Sequence, residues 1–341
     1  MGEERASTIA GSMKACATRS TEGFVMNDSQ PTRTNIDARD ARRDRAVGAF
    51  IGLAVGDALG TTVEFSVRDS YPPVTDMVGG GPFRLRPGEW TDDTAMALCL
   101  AQSLLANDGA LNSKDLAQRF VRWWKQGENS VNGRCFDIGD TTRSALASFV
   151  RTGRPIGSSN PHSSGNGGIM RLAPAAIVAR GEPSHAASLA RAQSEVTHAA
   201  PECLDSADVL AHIIAAGIAG RGQDALVAGV EANAGSPKVS AVANGAWRGK
   251  TRNEIRSSGY VVDTLEAALW SVGRSKDFEE AVLKAVNLGD DADTVGAVAG
   301  QVAGALWGCS RIPERWKQRI AWSDKLLTIA EELWSLGPGG C

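Results

Sequence analysis

The sequence of 341 residues is long enough for one large domain or two small ones, and its hydrophobic content of 43% can supply a sizeable core. A formal charge of −3, without any Lys/Arg run interleaved with aromatics, argues against general nucleic-acid binding. The six cysteines form no CxxC pair and no signal peptide is visible, so we expect free thiols and a cytoplasmic protein.

The first segment, residues 1–38, is polar and has no helical periodicity, so it predicts a flexible N-terminal arm before a single catalytic domain at 39–341. Its apolar residues cluster at Phe24, Val25 and Met26. Two interpretations remain open: a disordered tail, or an arm that becomes ordered on a partner.

From Asp40 onward the pattern is helical. Alanine is abundant, alternating β-branched runs are scarce, and no repeat of 20–50 residues is present, which predicts a compact all-α globule of many short helices. Residues 65–90 and 153–169 are rich in glycine and proline and are predicted as loops. The predicted helices cover about 40–60, 92–107, 113–126, 139–152, 171–180, 184–197, 203–220, 223–234, 239–248, 261–272, 276–286, 293–308, 313–319 and 322–336.

Two of these helices carry glycine at every fourth position. The ladders are Gly48, Gly52, Gly56 and Gly60, and Gly296, Gly300, Gly304 and Gly308. An i, i+4 repeat leaves one helix face without side chains, so two such helices can approach closely in a core. A membrane interface is the alternative. Asp57 and Gln301 interrupt runs that are already too short to span a bilayer, so we expect no membrane helix.

Acidic motifs stand at the start of two helices, in Thr91-Asp92-Asp93-Thr94 and in Asp290-Asp291-Ala292-Asp293-Thr294. A helix cap needs only one short polar side chain, and each motif has several, which indicates a further role. Ordinary capping of the two helices remains an alternative. If the fold brings the motifs together, about four carboxylates repel one another, and a divalent cation relieves that repulsion. Such hard oxygen ligands favour Mg²⁺, Mn²⁺ or Ca²⁺ over Zn²⁺ or copper, and two clusters suit two ions.

Other candidate residues lie between these motifs. Glu64 opens the 65–90 loop, either as a general base or further ligand, or as a surface residue. The stretch Gly165-Asn166-Gly167-Gly168 precedes Ile169-Met170-Arg171, where backbone N–H groups favour an anion such as a diphosphate, although a plain turn explains it equally well. It matches neither a Walker A nor a Rossmann motif.

Three single residues also carry alternatives. Asp137 is an active-site acid or an N-cap. His198 is a core histidine unless it faces a ligand, and Tyr260, one of two tyrosines, is suited to stack on a base or ribose.

Taken in order, the motifs resemble those of the ADP-ribosylglycohydrolase family, which includes the enzyme that removes ADP-ribose from dinitrogenase reductase. The resemblance covers about residues 42–336. Its pieces are Gly56-Asp57-Ala58-Leu59-Gly60 with Glu64, Trp90 to Thr94, Gly165 to Arg171, Thr197-His198, Gly259 to Leu265 and Asn287 to Ala297.

The resemblance implies a central binuclear site for Mg²⁺, with Mn²⁺ as the alternative. The implied ligands are Thr91, Asp92, Asp93, Asp291, Asp293 and Thr294. Glu64 and Asp137 match catalytic acids, and which of them is the base stays open. The ADP-ribose cleft would be lined by Gly165, Asn166, Gly167, Gly168, Ile169, Met170, Arg171 and His198, with Tyr260 as a stacking residue. Gly168 stands where the family more often has Ser, which would remove a hydroxyl near the phosphates.

The implied function is hydrolysis of ADP-ribose from arginine side chains of modified proteins. Some bacterial relatives are immunity proteins against ADP-ribosyltransferase toxins, so the alternative is a protein that binds and occludes such a toxin through the arm. A relative that has lost catalysis is a third hypothesis, which the intact acidic set argues against. Other ADP-ribose conjugates, such as O-acetyl-ADP-ribose, remain alternative substrates.

Overall fold

The computed structural model describes residues 33–232 and 234–336, and this part of the chain is all-α, as predicted, with no β-strand and only three isolated bridges. Its fourteen α-helices are α1 (Arg33–Gly60), α2 (Asp92–Ala106), α3 (Ser113–Gln126), α4 (Asp140–Thr152), α5 (Gly167–Met170), α6 (Ala173–Val178), α7 (Pro183–Glu195), α8 (Pro201–Ala219), α9 (Pro237–Ala243), α10 (Val261–Gly273), α11 (Phe278–Val286), α12 (Ala292–Trp307), α13 (Glu314–Arg319) and α14 (Ser323–Leu336).

At the centre, α1 and α12 pack antiparallel along the two glycine ladders. A Cβ on Gly56 would overlap the carbonyl oxygen of Gly296, and one on Gly300 would overlap that of Gly52. The two backbones are therefore in direct contact, as the four-residue repeat predicts. The segment Asp37–Val63 is long and apolar enough to cross a membrane, but 94% of its apolar window is buried inside the protein, as in a core helix.

Several predicted helix boundaries are wrong. Only α6 (Ala173–Val178) lies within the helix predicted at 171–180, and α5 (Gly167–Met170) precedes it, mostly within the loop predicted at 153–169. Pro174 starts the new helix, and the backbone groups between α5 and α6 are satisfied by Gln301. Its side chain accepts a bond from the N–H of Ala173 (2.7 Å) and donates to the carbonyl of Met170 (2.9 Å). The segments predicted at 223–234 and 239–248 contain 3₁₀ turns at Gly222–Ala232 and Ala246–Gly249.

The start of α1 also differs from the prediction. This helix begins at Arg33 and so includes the last six residues of the predicted arm. The rest of the arm, with Phe24, Val25 and Met26, lies outside the described residues.

The 65–90 loop is fastened to the turn that precedes α12. The backbones of Phe65 and Ser66 exchange hydrogen bonds of 2.8 Å with Asp290. Further along, the guanidinium of Arg68 donates to the carbonyl of Leu288 at 2.8 Å. These bonds hold the residue just before the loop, Glu64, beside the first turn of α12.

Candidate active site

The C-terminal end of α1 meets the N-terminal ends of α2 and α12, and a buried carboxylate joins them. Asp57 accepts hydrogen bonds from the backbone N–H groups of Thr91 (2.8 Å) and Thr94 (3.0 Å). The hydroxyls of the same two threonines lie 2.9 and 2.6 Å from its oxygens. Asp57 therefore caps α2 from another helix, and burial raises its pKa to about 7, with Asp293 adding to the effect.

Asp57 was not predicted as a site residue. The sequence did contain a signal, since Asp57 is an acid within an apolar helix that carries a glycine ladder. A carboxylate that is fully buried in this way needs hydrogen-bond partners, which indicates a structural role.

Around Asp293, three groups of acidic side chains converge from both predicted motifs. Within each group the ligand oxygens lie within 4.8 Å of one another. The groups are Asp57, Asp93 and Asp293; Glu64, Asp291 and Asp293; and Asp92, Asp137 and Asp293. The two motifs, about 200 residues apart in sequence, therefore form one site, with Asp293 shared by all three groups.

Threonine hydroxyls complete this oxygen-lined cluster. The hydroxyl of Thr91 lies 3.0 Å from Asp293 Oδ2 and 3.3 Å from Asp93 Oδ2. That of Thr294 lies 3.5 Å from Asp93 Oδ2. The other oxygen of Asp93, Oδ1, is buried and has no hydrogen-bond partner among the described residues. A buried carboxylate oxygen of this kind fits a cation ligand, and the donor set is one that Mg²⁺ or Mn²⁺ prefers.

Burial and mutual repulsion raise the pKa values of these acids. The pKa values of Asp92 and Asp93 lie well above the usual range, and burial is the largest cause for both. The next cause is the charge of Asp137 for Asp92 and the charge of Asp293 for Asp93. Burial and Asp293 raise the pKa of Asp291 to about 7. The cluster therefore holds its negative charge at a cost that a divalent cation would offset.

The two predicted catalytic acids lie at the edge of the cluster. Glu64 is buried and accepts a 3.2 Å hydrogen bond from the N–H of Asp293, and burial raises its pKa well above the usual range. Asp137 precedes α4 with a left-handed φ of 56°, and burial with Asp293 raises its pKa to about 9. Both side chains face the same cavity.

This cavity has a volume of about 950 Å³, which is enough for a nucleotide-sized ligand. It is lined by carboxylates of the acidic cluster and by the first turn of α4, including Arg143. Phe65, 65% exposed, stands at its rim, with its ring centroid 6.2 Å from that of Phe83.

The glycine-rich loop divides between the cavity and the core. Gly165, Asn166, Gly167 and Met170 line the cavity, and the side-chain amide of Asn166 donates to Asp291 Oδ2 at 2.6 Å. Since α5 has only one turn, its backbone N–H groups rather than a long helix dipole would act on an anion.

Three loop residues predicted to line the cleft do not. Gly168, Ile169 and Arg171 are buried and absent from the cavity wall. A Cβ on Gly168 would overlap the hydroxyl of Ser194, so the position faces α7, and the predicted loss of a hydroxyl near the phosphates has no support in this geometry.

His198 and Tyr260 lie in different pockets. His198 faces the main cavity, and burial, followed by the charge of Arg171, lowers its pKa to about 3, so the ring is neutral. Tyr260 lines an adjacent cavity of about 620 Å³. Its hydroxyl donates to Glu202 (2.7 Å) and accepts from Lys238 (3.2 Å).

Comparisons with known proteins agree with these features. A family model described as ADP-ribosylglycohydrolase matches residues 38–340. The ADP-ribosylarginine hydrolase Tri1 of Pseudomonas putida is 48% identical over 296 residues, which cover 86% of this chain and 79% of that protein. The ADP-ribosyl-[dinitrogen reductase] glycohydrolase of Rhodospirillum rubrum is 36% identical over 285 residues, covering 81% and 90%.

A solved structure described as an ADP-ribosylglycohydrolase-related protein complex has the same fold. It superposes with a TM-score of 0.77 at 40% identity, covering 87% of this chain and 99% of that one.

Proposed function

The chain belongs to the ADP-ribosylglycohydrolase family, and on that premise we propose that it removes ADP-ribose from arginine side chains of modified proteins. The observation that carries the proposal is the continuity of the acidic cluster with the 950 Å³ cavity. Relatives named ADP-ribosylarginine hydrolases, 46–48% identical over 86% of the chain, support arginine as the linkage.

We propose that the cluster holds two Mg²⁺ ions, or Mn²⁺ in their place. The proposed ligands are Thr91, Asp92, Asp93, Asp291, Asp293 and Thr294. Asp57 positions them instead, because both of its oxygens are already engaged by the first turn of α2. When bound, such ions polarise ribose hydroxyls and lower the pKa of a bound water.

The protein's own residues supply the rest of the chemistry. Cleavage of the N-glycosidic bond passes through a ribose with oxocarbenium character, and the acidic wall stabilises that positive charge. Asn166 orients Asp291 through its 2.6 Å hydrogen bond. With the cations bound, which favour the ionised carboxylates, Glu64 or Asp137 would accept the proton of the attacking water, since both lie at the cluster and face the cavity.

The test is release of ADP-ribose from an arginine-ADP-ribosylated protein in the presence of Mg²⁺ or Mn²⁺. We expect release by the wild type, and a loss of about 100-fold or more in whichever of Glu64→Gln and Asp137→Asn removes the base. No release with either ion would contradict the proposal. Release from O-acetyl-ADP-ribose alone would move the activity to another linkage.

A second proposed function, toxin immunity, concerns the arm. The family match begins at residue 38, so all of the arm except its last residue lies outside it. Residue 33 is separated from Asp57 by 24 helical residues, or about 36 Å, so the first described residue lies far from the cluster. We propose that the arm binds a cognate ADP-ribosyltransferase toxin in the cytoplasm and occludes the active site of that toxin. The catalytic domain would in addition remove the ADP-ribose that the toxin attaches.

A further inference from the structure

Arg171 is fully buried, and its guanidinium is the donor in each of its hydrogen bonds. Its Nε donates to the side-chain oxygen of Gln193 (2.9 Å), and Nη2 donates to the Gln193 carbonyl (3.2 Å) and to the hydroxyl of Thr197 (2.8 Å). The guanidinium also lies over the ring of Phe120, 4.5 Å from its centroid. Because a guanidinium has no acceptor, the bond to Thr197 has only one polarity, with Thr197 accepting.

This polarity determines the next bond. The hydroxyl of Thr197 also lies 2.8 Å from Nδ1 of His198, and no other acceptor for its proton exists among the described residues. If Nδ1 carried a proton, the hydroxyl would accept twice and leave its own hydrogen buried and unbonded, at a cost of about 1–3 kcal/mol. Thr197 therefore donates to Nδ1, which must be the unprotonated nitrogen.

The neutral imidazole then carries its proton on Nε2. This nitrogen lies 3.1 Å from the position that a Cβ would take on either Gly165 or Gly167, so the absence of side chains there opens the ring edge. Nε2 has no hydrogen-bond partner among the described residues, and His198 lines the main cavity.

We infer that Arg171, acting through Thr197, fixes the Nε2–H tautomer of His198, so that the imidazole presents a hydrogen-bond donor to a phosphate or ribose oxygen of ADP-ribose. The identity of this ligand rests on the proposed function, whereas the tautomer does not. Arg171 and Thr197 are positioning residues, since neither lines the cavity. A histidine with its proton on Nδ1 would instead point an acceptor at the anionic ligand.

The direct test is the tautomer itself, read from the ¹⁵N chemical shifts of His198 in the metal-free, unliganded protein. We expect Nδ1 to be unprotonated in the wild type and in Thr197→Ser, which keeps the hydroxyl. Thr197→Val keeps the shape and should give a mixture of tautomers. Protonated Nδ1 in the wild type overturns the inference, and this measurement needs no variant that folds and no active enzyme.

Titration with ADP-ribose gives a second readout. Loss of one hydrogen bond to a charged oxygen corresponds to about tenfold weaker binding or more. We expect this loss in Thr197→Val, wild-type affinity in Thr197→Ser, and a rise in KM larger than the fall in kcat. Unchanged ADP-ribose affinity in a folded Thr197→Val protein of mixed tautomer contradicts the role assigned to the donor. A protein that shows the expected tautomer but releases no ADP-ribose from arginine contradicts only the proposed function.

Discussion

At the scale of single residues, the site is dominated by carboxylates that are close together and buried. Asp293 belongs to all three acidic groups, and one buried oxygen of Asp93 has no hydrogen-bond partner in the part of the chain that the structure describes. Without a cation, each ionised member destabilises its neighbours. The same residues should therefore weaken the metal-free fold and create the affinity for a divalent ion.

This trade-off predicts opposite effects of Asp93→Asn on stability and activity. Removing one charge should raise the unfolding free energy of the metal-free protein by about 1 kcal/mol or more, the equivalent of one pKa unit. It should also abolish the Mg²⁺-induced rise in Tm and reduce hydrolysis by about 100-fold. Thermal melts with EDTA and with Mg²⁺ measure both.

The matched control is Asp140→Asn, which lines the same cavity but belongs to none of the acidic groups. It should leave the Mg²⁺-induced rise in Tm intact. A metal-free Asp93→Asn protein that is less stable than wild type, and still stabilised by Mg²⁺, would contradict the shared-cation interpretation.

At the scale of elements, the packing of α1 against α12 places the acids. The ladders bring the two backbones into contact along their length, and a Cβ on Gly60 would overlap the backbone of Ala292. The last turn of α1, with Asp57, is therefore held against the first turn of α12, with Asp293. Close helix packing and the assembly of the cluster are thus one structural feature.

We expect Gly300→Ala to destabilise the protein by about 3 kcal/mol, although alanine is the better helix former. The reason is the overlap of the new Cβ with the carbonyl oxygen of Gly52, a rigid backbone atom. Gly249→Ala is the control, because a Cβ there has nothing within 4 Å and the glycine has an ordinary φ. Chemical denaturation measures both, and equal stability of the two variants would show that α1 and α12 are not in contact at this point.

The sequence predicts these helices better than it predicts which residues of a loop face the cavity and which face the core. Four-residue glycine spacing and paired acidic motifs depend on local periodicity, so α1, α12 and the cluster were predictable. Which side of a glycine-rich loop faces a cavity depends on distant residues. Gly168 faces the core because Ser194 on α7 packs there, and Arg171 is held by Gln193. The 3₁₀ turn at Gly222–Ala232 likewise has the composition of an α-helix.

At the scale of the whole molecule, the raised pKa values make stability depend on pH. Burial and neighbouring acids raise the pKa values of Asp57 and Asp291 to about 7 and that of Asp137 to about 9. Above their ordinary pKa of 3.8, the folded protein keeps protons that the unfolded chain has lost. The stability that the folded protein gains from keeping these protons is complete at low pH. It is lost as the pH rises through about 7, for Asp57 and Asp291, and then about 9, for Asp137.

We therefore expect the Tm of the metal-free protein to fall as the pH rises from about 5 to about 9. Bound Mg²⁺ favours the ionised carboxylates, so saturating Mg²⁺ should reduce or reverse this fall. Parallel melts in EDTA and in Mg²⁺ measure the difference. A metal-free protein whose Tm rises over this range would show that the carboxylates are ionised at little cost in the folded state.

The arm gives the last prediction, because residue 33, the first described residue, lies a helix length away from the acidic cluster. Deletion of residues 1–32 leaves α1 whole, and the cluster lies about 36 Å from its first residue. Hydrolysis of ADP-ribosylated protein should stay within about twofold of wild type, since every member of the acidic groups lies at position 57 or later. Binding to the cognate transferase should weaken sharply, because a segment that orders on binding brings its contacts with it. The control is Asp293→Ala with the arm intact, which should bind the transferase but not hydrolyse. If the truncated protein binds the transferase as tightly as wild type, the arm is not the binding element and the immunity function fails, while hydrolysis stands.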